Sequence, residues 1–468
     1  MTGAGITLDR LAGEIGGDLA GPPETVDTIA YDSRCATHGS LFACVPGDTV
    51  DGHDFAAGAV ANGASALLVE RPLDIDVPQI VVRDSRAAMG PAAAAIYHHP
   101  ERDVTVLGVT GTNGKTTVTQ MLGSMLTKLG RSVEVLGTLS GVRTTPEAPD
   151  LFAKLASMRA SGVRHLALEV SSHALQLHRV NGMKFEVSAF TNLSQDHLDF
   201  HASMEEYFEA KASLFEPELT KRAVINADDR HGSTLLERRP DARPYSVADA
   251  ADLSLDGPTS HFKWHGRPVT LQLAGLHNVS NAVCAATILD ELAFGADDVA
   301  DALGAIDPVP GRMEWVSLGQ PFRVVVDYSH TPDSLRVALA ACRTAAAPAA
   351  SVVVVFGCGG DRDQAKRPLM GRVAADLADR VVVTSDNPRG EDPVRIIDQI
   401  VAGIRTEDHV VIEPDRQAAI DAAIAMAEEG DVVLLAGKGH ETTQTIGDNV
   451  IDFDDRMAAM TALGKAGW

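Results

Sequence analysis

Cysteine is scarce in this chain, and its cysteines do not form pairs. Cys35, Cys44, Cys284, Cys342 and Cys358 are odd in number and scattered, with no C-x-x-C spacing. This argues against a disulfide framework or a cysteine-built metal knuckle and points to free thiols in a reducing compartment. Positive charge is also short. Lys and Arg number 40 against 64 Asp and Glu, a formal net charge of -24, which speaks against nonspecific nucleic-acid or membrane-surface binding as the main task. No apolar run approaches bilayer length. The opening "MTGAGITLDRLAGEIGG" lacks a basic segment leading into an apolar one, so no signal peptide is expected and the chain is expected to act in the cytoplasm. There is no internal repeat. A hydrophobic fraction of 45% and a charged fraction of 22% fit a folded globular chain, and 468 residues exceed what one core organises, so three domains are expected.

The pattern of runs sets the boundaries. Residues 1–98 mix short apolar strands ("ASALLVE", "PQIVV") with Ala- and Gly-rich helical stretches and predict a small α/β domain. "YHHPERDV" reads as a linker. From 99 to 310 apolar strands alternate with helical patterns, predicting a mostly parallel sheet, with a hairpin at "TSHFKWHGRPVTLQL". "DPVPGRME" reads as a second linker. Residues 311–468 hold four strand-like runs, "FRVVVDYS", "SVVVVFG", "RVVVTS" and "DVVLLAG", and predict an open, Rossmann-like α/β sheet.

"VLGVTGTNGKTTVTQMLGSML" carries the strongest local signal: a strand, a loop with Gly108, Gly111 and Gly114, then Lys115, Thr116 and Thr117 opening a helix. Glycines let backbone N–H groups wrap a phosphate, and the helix N-terminus favours the anion. Lys115 would reach β/γ-phosphates and Thr116 would offer its hydroxyl to Mg²⁺. The strict GxxxxGK[ST] spacing is not met, because position 109 is Val. Such a loop needs an acid across the sheet. "RHLALEVSSHAL" supplies Glu169 at a strand end, and "VSAFTNLSQDHLDFH" places His197 beyond the next strand.

These segments, together with "YFEAKASLF", "GLHNVSNAVCAA", "PGRME", "VDYSHTPDSL", "GCGGDRDQAKRPLMG", "SDNPRGEDP" and "AGKGHET", resemble the Mur ligase family in order and over nearly the whole chain. The likeness is strongest to the members that add diaminopimelate to the peptidoglycan precursor peptide. It implies ATP-dependent amide synthesis through an acyl phosphate, with ATP, UDP-MurNAc-L-Ala-D-Glu and meso-diaminopimelate as small-molecule partners and Mg²⁺ as cofactor. No nucleic acid and no membrane insertion are implied, and a monomer is expected. Competing readings are a lysine-adding or folylpolyglutamate-type ligase and a non-catalytic nucleotide-binding protein. The N-terminal "DSR…DGHDF" pattern argues against the folyl type, and intact Lys115, Glu169, His197, Lys211 and Arg312 argue against loss of catalysis.

The resemblance also implies roles for individual residues. Gly111, Thr112, Asn113, Gly114, Lys115, Thr116 and Thr117 would bind ATP, with Asn278 and Asn281 on the adenine side, Arg312 at the phosphates and Asp327 at the ribose. Lys115, Lys211, His197 and Arg312 would be catalytic. Thr116, Glu169, His197 and Lys211 would hold metal, with Lys211 carbamylated. Asp32, Ser33, Thr144, Thr145, Ser171 and Arg179 would bind the UDP-sugar dipeptide. Arg362, Asp386, Asn387, Arg389, Gly437 and Glu441 would bind diaminopimelate. Ser329 stands where the family usually has Ala and is expected to change little.

Overall fold

The computed structural model describes residues 5–47, 49–141, 143–405 and 409–468. Three α/β sheets follow one another along the chain. In the first, Gln79–Val81, Ala66–Val69, Ser40–Ala43 and Thr28–Ala30 run parallel in that spatial order, and Asp18–Ala20 pairs antiparallel at the Gln79–Val81 edge. The second sheet has six parallel strands in the order Arg243–Tyr245, Thr220–Asn226, Phe185–Phe190, Thr105–Thr110, His165–Glu169 and Val133–Leu136. The expected hairpin forms between Thr259–Trp264 and Arg267–Leu271, and Ala251–Asp256 extends it to a three-stranded antiparallel sheet.

The third sheet follows the order Glu314–Val316, Arg323–Asp327, Val432–Ala436, Val352–Phe356, Arg380–Val383 and Val410–Ile412, all parallel except the first. Its central strands are runs such as VVVVF, buried along their whole length, as expected for strands covered by helices on both faces. Glu314–Val316 and Val410–Ile412 were not foreseen. Each is a three-residue edge strand, too short for a run, and Ile412 is 53% exposed.

One apolar core joins the first two sheets. Helix Ser85–Ile96 packs on helix Ala148–Ala160, and Leu41, Leu68, Phe152, Leu168 and Phe190 belong to one buried cluster. Between the sheets, segment 97–104 is packed, with Pro100 and Glu101 buried and His99 held between Glu14 and Glu101. The third sheet has separate cores on its two faces. Among the described residues no helix is long and apolar enough to cross a membrane.

A buried ion pair ties the third sheet together at its carboxyl edge. Arg416 and Asp455 have fully buried side chains 2.7 Å apart. The guanidinium also donates to the carbonyls of Ser385 and Ala436, which lie at the ends of two strands. Arg416→Met strands a buried carboxylate, so it is expected to lower stability by about 3–5 kcal/mol, with partial recovery when Asp455→Leu is added. Chemical denaturation of the full chain measures both.

Candidate functional site

The second sheet reverses its winding at Thr105–Thr110, because the chain continues to one side through His165–Glu169 and to the other through Phe185–Phe190. Loops leaving neighbouring strands in opposite directions open a crevice at their carboxyl ends. Loop 111–114 fills this place. Gly111 has φ 147°, and a Cβ there would lie 1.9 Å from Thr191 Oγ1, so only glycine lets the loop press against the neighbouring strand end. Thr191 donates to the carbonyl of Asn113 at 2.6 Å, and Asn192 Oδ1 accepts from the N–H of Asn113 at 3.0 Å. Thr112 meets the Tyr207 hydroxyl at 3.1 Å. Helix Lys115–Lys128 then begins, with Thr116 and Thr117 buried in its first turn.

Two lysines converge on one oxygen. Lys115 Nζ donates to the carbonyls of Gly111 and Thr112 at 2.9 Å, and Lys211 Nζ donates to the same Gly111 carbonyl at 2.8 Å. Lys211 is 1% exposed and lies over the Tyr207 ring at 4.6 Å. Burial, and then the Lys115 charge, hold its amine well below the ordinary lysine range. Burial also lowers Lys115, with Glu169 and Asp196 opposing the shift.

Thr116 Oγ1 donates to Glu169 Oε2 at 2.9 Å and accepts from Arg312 Nη2 at 3.1 Å. The other Glu169 oxygen accepts from Thr138 N at 2.8 Å. His197, at φ 55°, and His201 flank the same Tyr207 ring. Burial, reinforced by His173, Lys115 and Lys211, lowers the His197 imidazole to about 3, so it is neutral and free to act as a ligand. Among the described residues no three His, Cys, Asp or Glu side chains cluster as a metal site. Thr116 and Glu169 are hard oxygen donors suited to a divalent cation that phosphate oxygens also hold. The bare Lys211 amine offers no anionic ligand; its carbamate would.

Between this loop and the third sheet lies a cavity of ≈ 130 Å³, bordered by Asn113, Gly114, Thr117, Asn278, Asn281, Arg312 and Asp327. Asn278 is anchored to the carbonyl of Ala274 at 2.8 Å. Arg312 stacks over Tyr328 at 4.5 Å. Asp327 accepts from Met313 N at 2.9 Å. Ser329, where the family usually has Ala, adds a contact, its hydroxyl donating to the second Asp327 oxygen. The carboxylate therefore meets the cavity already oriented from both sides.

Thr145 Oγ1 donates to the carbonyl of Glu169 at 2.7 Å and accepts from Ser171 N at 3.1 Å. Thr144 meets Thr138 at 3.2 Å, and Arg179 donates to the carbonyl of Thr145 at 3.3 Å. These four residues therefore form one connected group beyond the end of His165–Glu169, with Thr145 fully buried in it. Asp32 and Ser33 do not join them. They sit beyond the outer strand Thr28–Ala30, where Asp32 caps its own turn and chelates Arg34. The neighbouring Tyr31 makes the link, donating to Asp150 at 2.8 Å.

On the third sheet, "GCGGDRD", "SDNPRGE" and "AGKGHE" follow Val352–Phe356, Arg380–Val383 and Val432–Ala436, which are adjacent strands. Asn387 Nδ2 donates to Glu441 Oε2 at 2.8 Å, and Gly437 N donates to the carbonyl of Asp327 at 3.1 Å. Arg389 has φ 52°, an uncommon value for a non-glycine residue. Its backbone is held by the carbonyl of Thr445 and the N–H of Gly447, so the hairpin of Thr443–Ile446 and Asn449–Asp452 fixes it. Its guanidinium donates to the carbonyl of Gly360 at 2.8 Å. Arg389 and Arg362 meet at Gly359, where an added Cβ would lie 2.8 Å from Arg389 Nη1 and 3.8 Å from Arg362 Cγ. Asp386 is buried beside this group.

Three residues without an expected role join the second and third sheets. Asp196 lies 3.5 Å from His197, 3.7 Å from His330 and 3.5 Å from Lys366. Burial would raise its carboxyl, but the His330 hydrogen bond and the Lys366 charge outweigh that and hold it well below the usual range. Each is an ordinary polar residue in sequence; only the facing of the two sheets brings them together.

The comparisons follow this geometry. The Mur ligase middle domain matches residues 109–289, the Mur ligase glutamate ligase domain 311–439, and the Mur ligase family catalytic domain 25–105. The chain belongs to the Mur ligase family and is a ligase. It is 45% identical to the UDP-N-acetylmuramoyl-L-alanyl-D-glutamate--2,6-diaminopimelate ligase of Geobacillus kaustophilus, over 96% of each chain. It is 43% identical to the ligase of the same name from Solibacter usitatus, over 95% of this chain and 96% of the other. A solved structure of a UDP-N-acetylmuramoyl-L-alanyl-D-glutamate--2,6-diaminopimelate ligase superposes with TM-score 0.67 at 32% identity, covering 96% of this chain and 97% of that one. The MurF ligase of Thermotoga maritima in complex with ADP shares the fold, with TM-score 0.63 at 18% identity over 94% and 97% of the two chains.

The histidine cluster makes stability depend on pH. His173 stacks on Phe200 at 4.0 Å, and burial lowers it from 6.5 to about 4. The unfolded chain therefore binds this proton first, so the stabilising contribution is complete above pH 6.5 and is lost as pH falls toward 4. His173→Asn is expected to flatten the acid limb of a plot of thermal midpoint against pH over that window.

Proposed function

We propose that this chain joins meso-diaminopimelate to UDP-N-acetylmuramoyl-L-alanyl-D-glutamate at the expense of ATP. The observation that carries the reading is the convergence of Arg389, Arg362, Asn387 and Glu441 beyond three adjacent strand ends. It faces a phosphate-type loop at the switch point of another sheet. ATP occupies the cavity, with adenine toward Asn278 and Asn281, ribose toward Asp327, and phosphates along 111–117. Lys115 leaves the Gly111 and Thr112 carbonyls to pair with the phosphates, and Arg312 adds a second cation. Mg²⁺, held by Thr116 and Glu169, would supply further charge neutralisation. His197 and a carbamylated Lys211 suit a second ion.

A glutamyl carboxylate oxygen of the acceptor bonds to the γ-phosphorus and ADP leaves. The amine of diaminopimelate then attacks the acyl carbon and inorganic phosphate leaves. Thr144, Thr145, Ser171 and Arg179 orient the acceptor. The contacts of Asp196 with His330 and Lys366 draw the amino-acid sheet over the intermediate and exclude water that would hydrolyse it. A phosphate-release assay with the acceptor, ATP and a panel of amino acids tests the whole reading. Release with no amino acid of the panel would overturn it.

Burial beside another cation lowers the Lys211 amine well below the ordinary lysine range, which favours the neutral form that carbamylation needs. Lys211→Ala is expected to abolish ligation, and added short carboxylic acids are expected to restore part of it. Full activity in the unsupplemented variant would rule out this role.

Arg389 presents a planar fork to the far carboxylate that distinguishes diaminopimelate from lysine. With lysine bound the fork keeps only the Gly360 carbonyl and lacks its carboxylate partner, so the wild type is expected to reject L-lysine by roughly 10⁴-fold. Arg389→Ala is expected to raise KM for diaminopimelate by about 100-fold while leaving KM for ATP and for the acceptor nearly unchanged. Equal use of lysine by the wild type would remove the argument.

A further inference from the structure

Three arginines from separate segments close on one carboxylate where the first two sheets meet. Arg179 Nε lies 2.9 Å, Arg143 Nη1 3.5 Å and Arg86 Nη1 3.8 Å from the oxygens of Glu147. Arg86 stands in the first turn of Ser85–Ile96, Arg143 in the loop before helix Ala148–Ala160, and Arg179 beyond the "SSHAL" turn. Glu147 is the N-cap residue of that helix, but its side chain makes no capping bond. Glu147 Oε2 and Arg179 Nε are both buried without a well-aligned hydrogen-bond partner, so the carboxylate leaves part of its capacity to accept unused. The next acid, Asp150, is taken by the Tyr31 hydroxyl. Side-chain exposure rises from 13% at Arg179 through 28% at Arg86 to 51% at Arg143, so the cluster is open to solvent at Arg143.

A protein of formal charge -24 has no electrostatic reason to collect three guanidiniums around one acid unless an anion joins them. We infer that Arg86 and Arg143, with Arg179, form a cradle for anionic oxygens of the acceptor. Glu147 keeps the forks assembled until those oxygens arrive. The inference rests on the proposed function. Its position fits, because Arg179 reaches Thr145 on one side and Tyr31, next to Asp32, lies on the other. The acceptor offers two sources of such oxygens: the glutamyl carboxylate that is not activated, and the pyrophosphate.

Isothermal titration of the full chain separates them, using UDP-MurNAc-L-Ala-D-Glu, its analogue with that carboxylate amidated, and MurNAc-L-Ala-D-Glu without the nucleotide. Arg86→Gln and Arg143→Gln are each expected to weaken binding of the full acceptor about 10- to 100-fold, with KM for ATP and for diaminopimelate unchanged. Arg86→Lys should recover only part, because a point charge replaces a fork. If the cradle reads the carboxylate, the variants lose nothing on the amidated analogue. If it reads the pyrophosphate, they lose nothing on the nucleotide-free compound. Wild-type affinity of both Gln variants for all three compounds overturns the inference and leaves the proposed function standing. A wild type that neither binds nor ligates the acceptor overturns both.

Discussion

The Gly111 carbonyl is the point on which the catalytic geometry depends, because it receives two lysine nitrogens at once. A carbonyl oxygen has two lone pairs and can accept both. Two buried ammonium ions at such a distance disfavour each other's charge, and burial followed by the Lys115 charge holds the Lys211 amine well below the ordinary lysine range. A neutral lysine amine is uncommon in water and is the form that reacts with carbon dioxide. The glycine-rich loop therefore also sets the surroundings of the lysine on the neighbouring helix. This works only because Gly111 leaves room for the close approach of Thr191.

The second constraint is electrostatic. The proposed chemistry brings a carboxylate onto a polyphosphate inside a protein that is itself strongly acidic. Under the proposed chemistry, cations stand where those anions would meet: Lys115 and Arg312 at the loop, the arginines around Glu147 for the acceptor, and Arg362 and Arg389 for the amino acid. Between them, Asp196 gathers His197, His330 and Lys366. That acid carries contacts across two sheets, and its cationic partners keep it charged despite burial.

Much of this was legible in the chain itself. Buried parallel strands leave continuous apolar runs, so Thr105–Thr110, Val352–Phe356 and Val432–Ala436 could be read directly, along with the glycine-rich loop that follows the first. Polar clusters at strand ends were equally plain, since a charged group following an apolar strand can only stand at the rim of a sheet. The edge strands Glu314–Val316 and Val410–Ile412 were not legible, because three residues with a half-exposed surface leave no pattern.

Local sequence thus determined the strands, the loop and the candidate residues, each through backbone sterics and the burial of short apolar runs. Only the tertiary structure decided which candidates meet. Strand order placed Glu169 beside Thr116 and set three polar clusters of the third sheet side by side. The facing of the sheets brought Lys366 to Asp196, and the packing of Ser85–Ile96 against Ala148–Ala160 brought Arg86 to Glu147. Ser329 illustrates the same limit on a smaller scale: as a letter it replaces alanine with little consequence, yet in the fold its hydroxyl reaches Asp327. The encounters between sheets join residues tens to hundreds of positions apart, and their energies depend on distance and solvent exclusion. Neither quantity exists until the chain is folded.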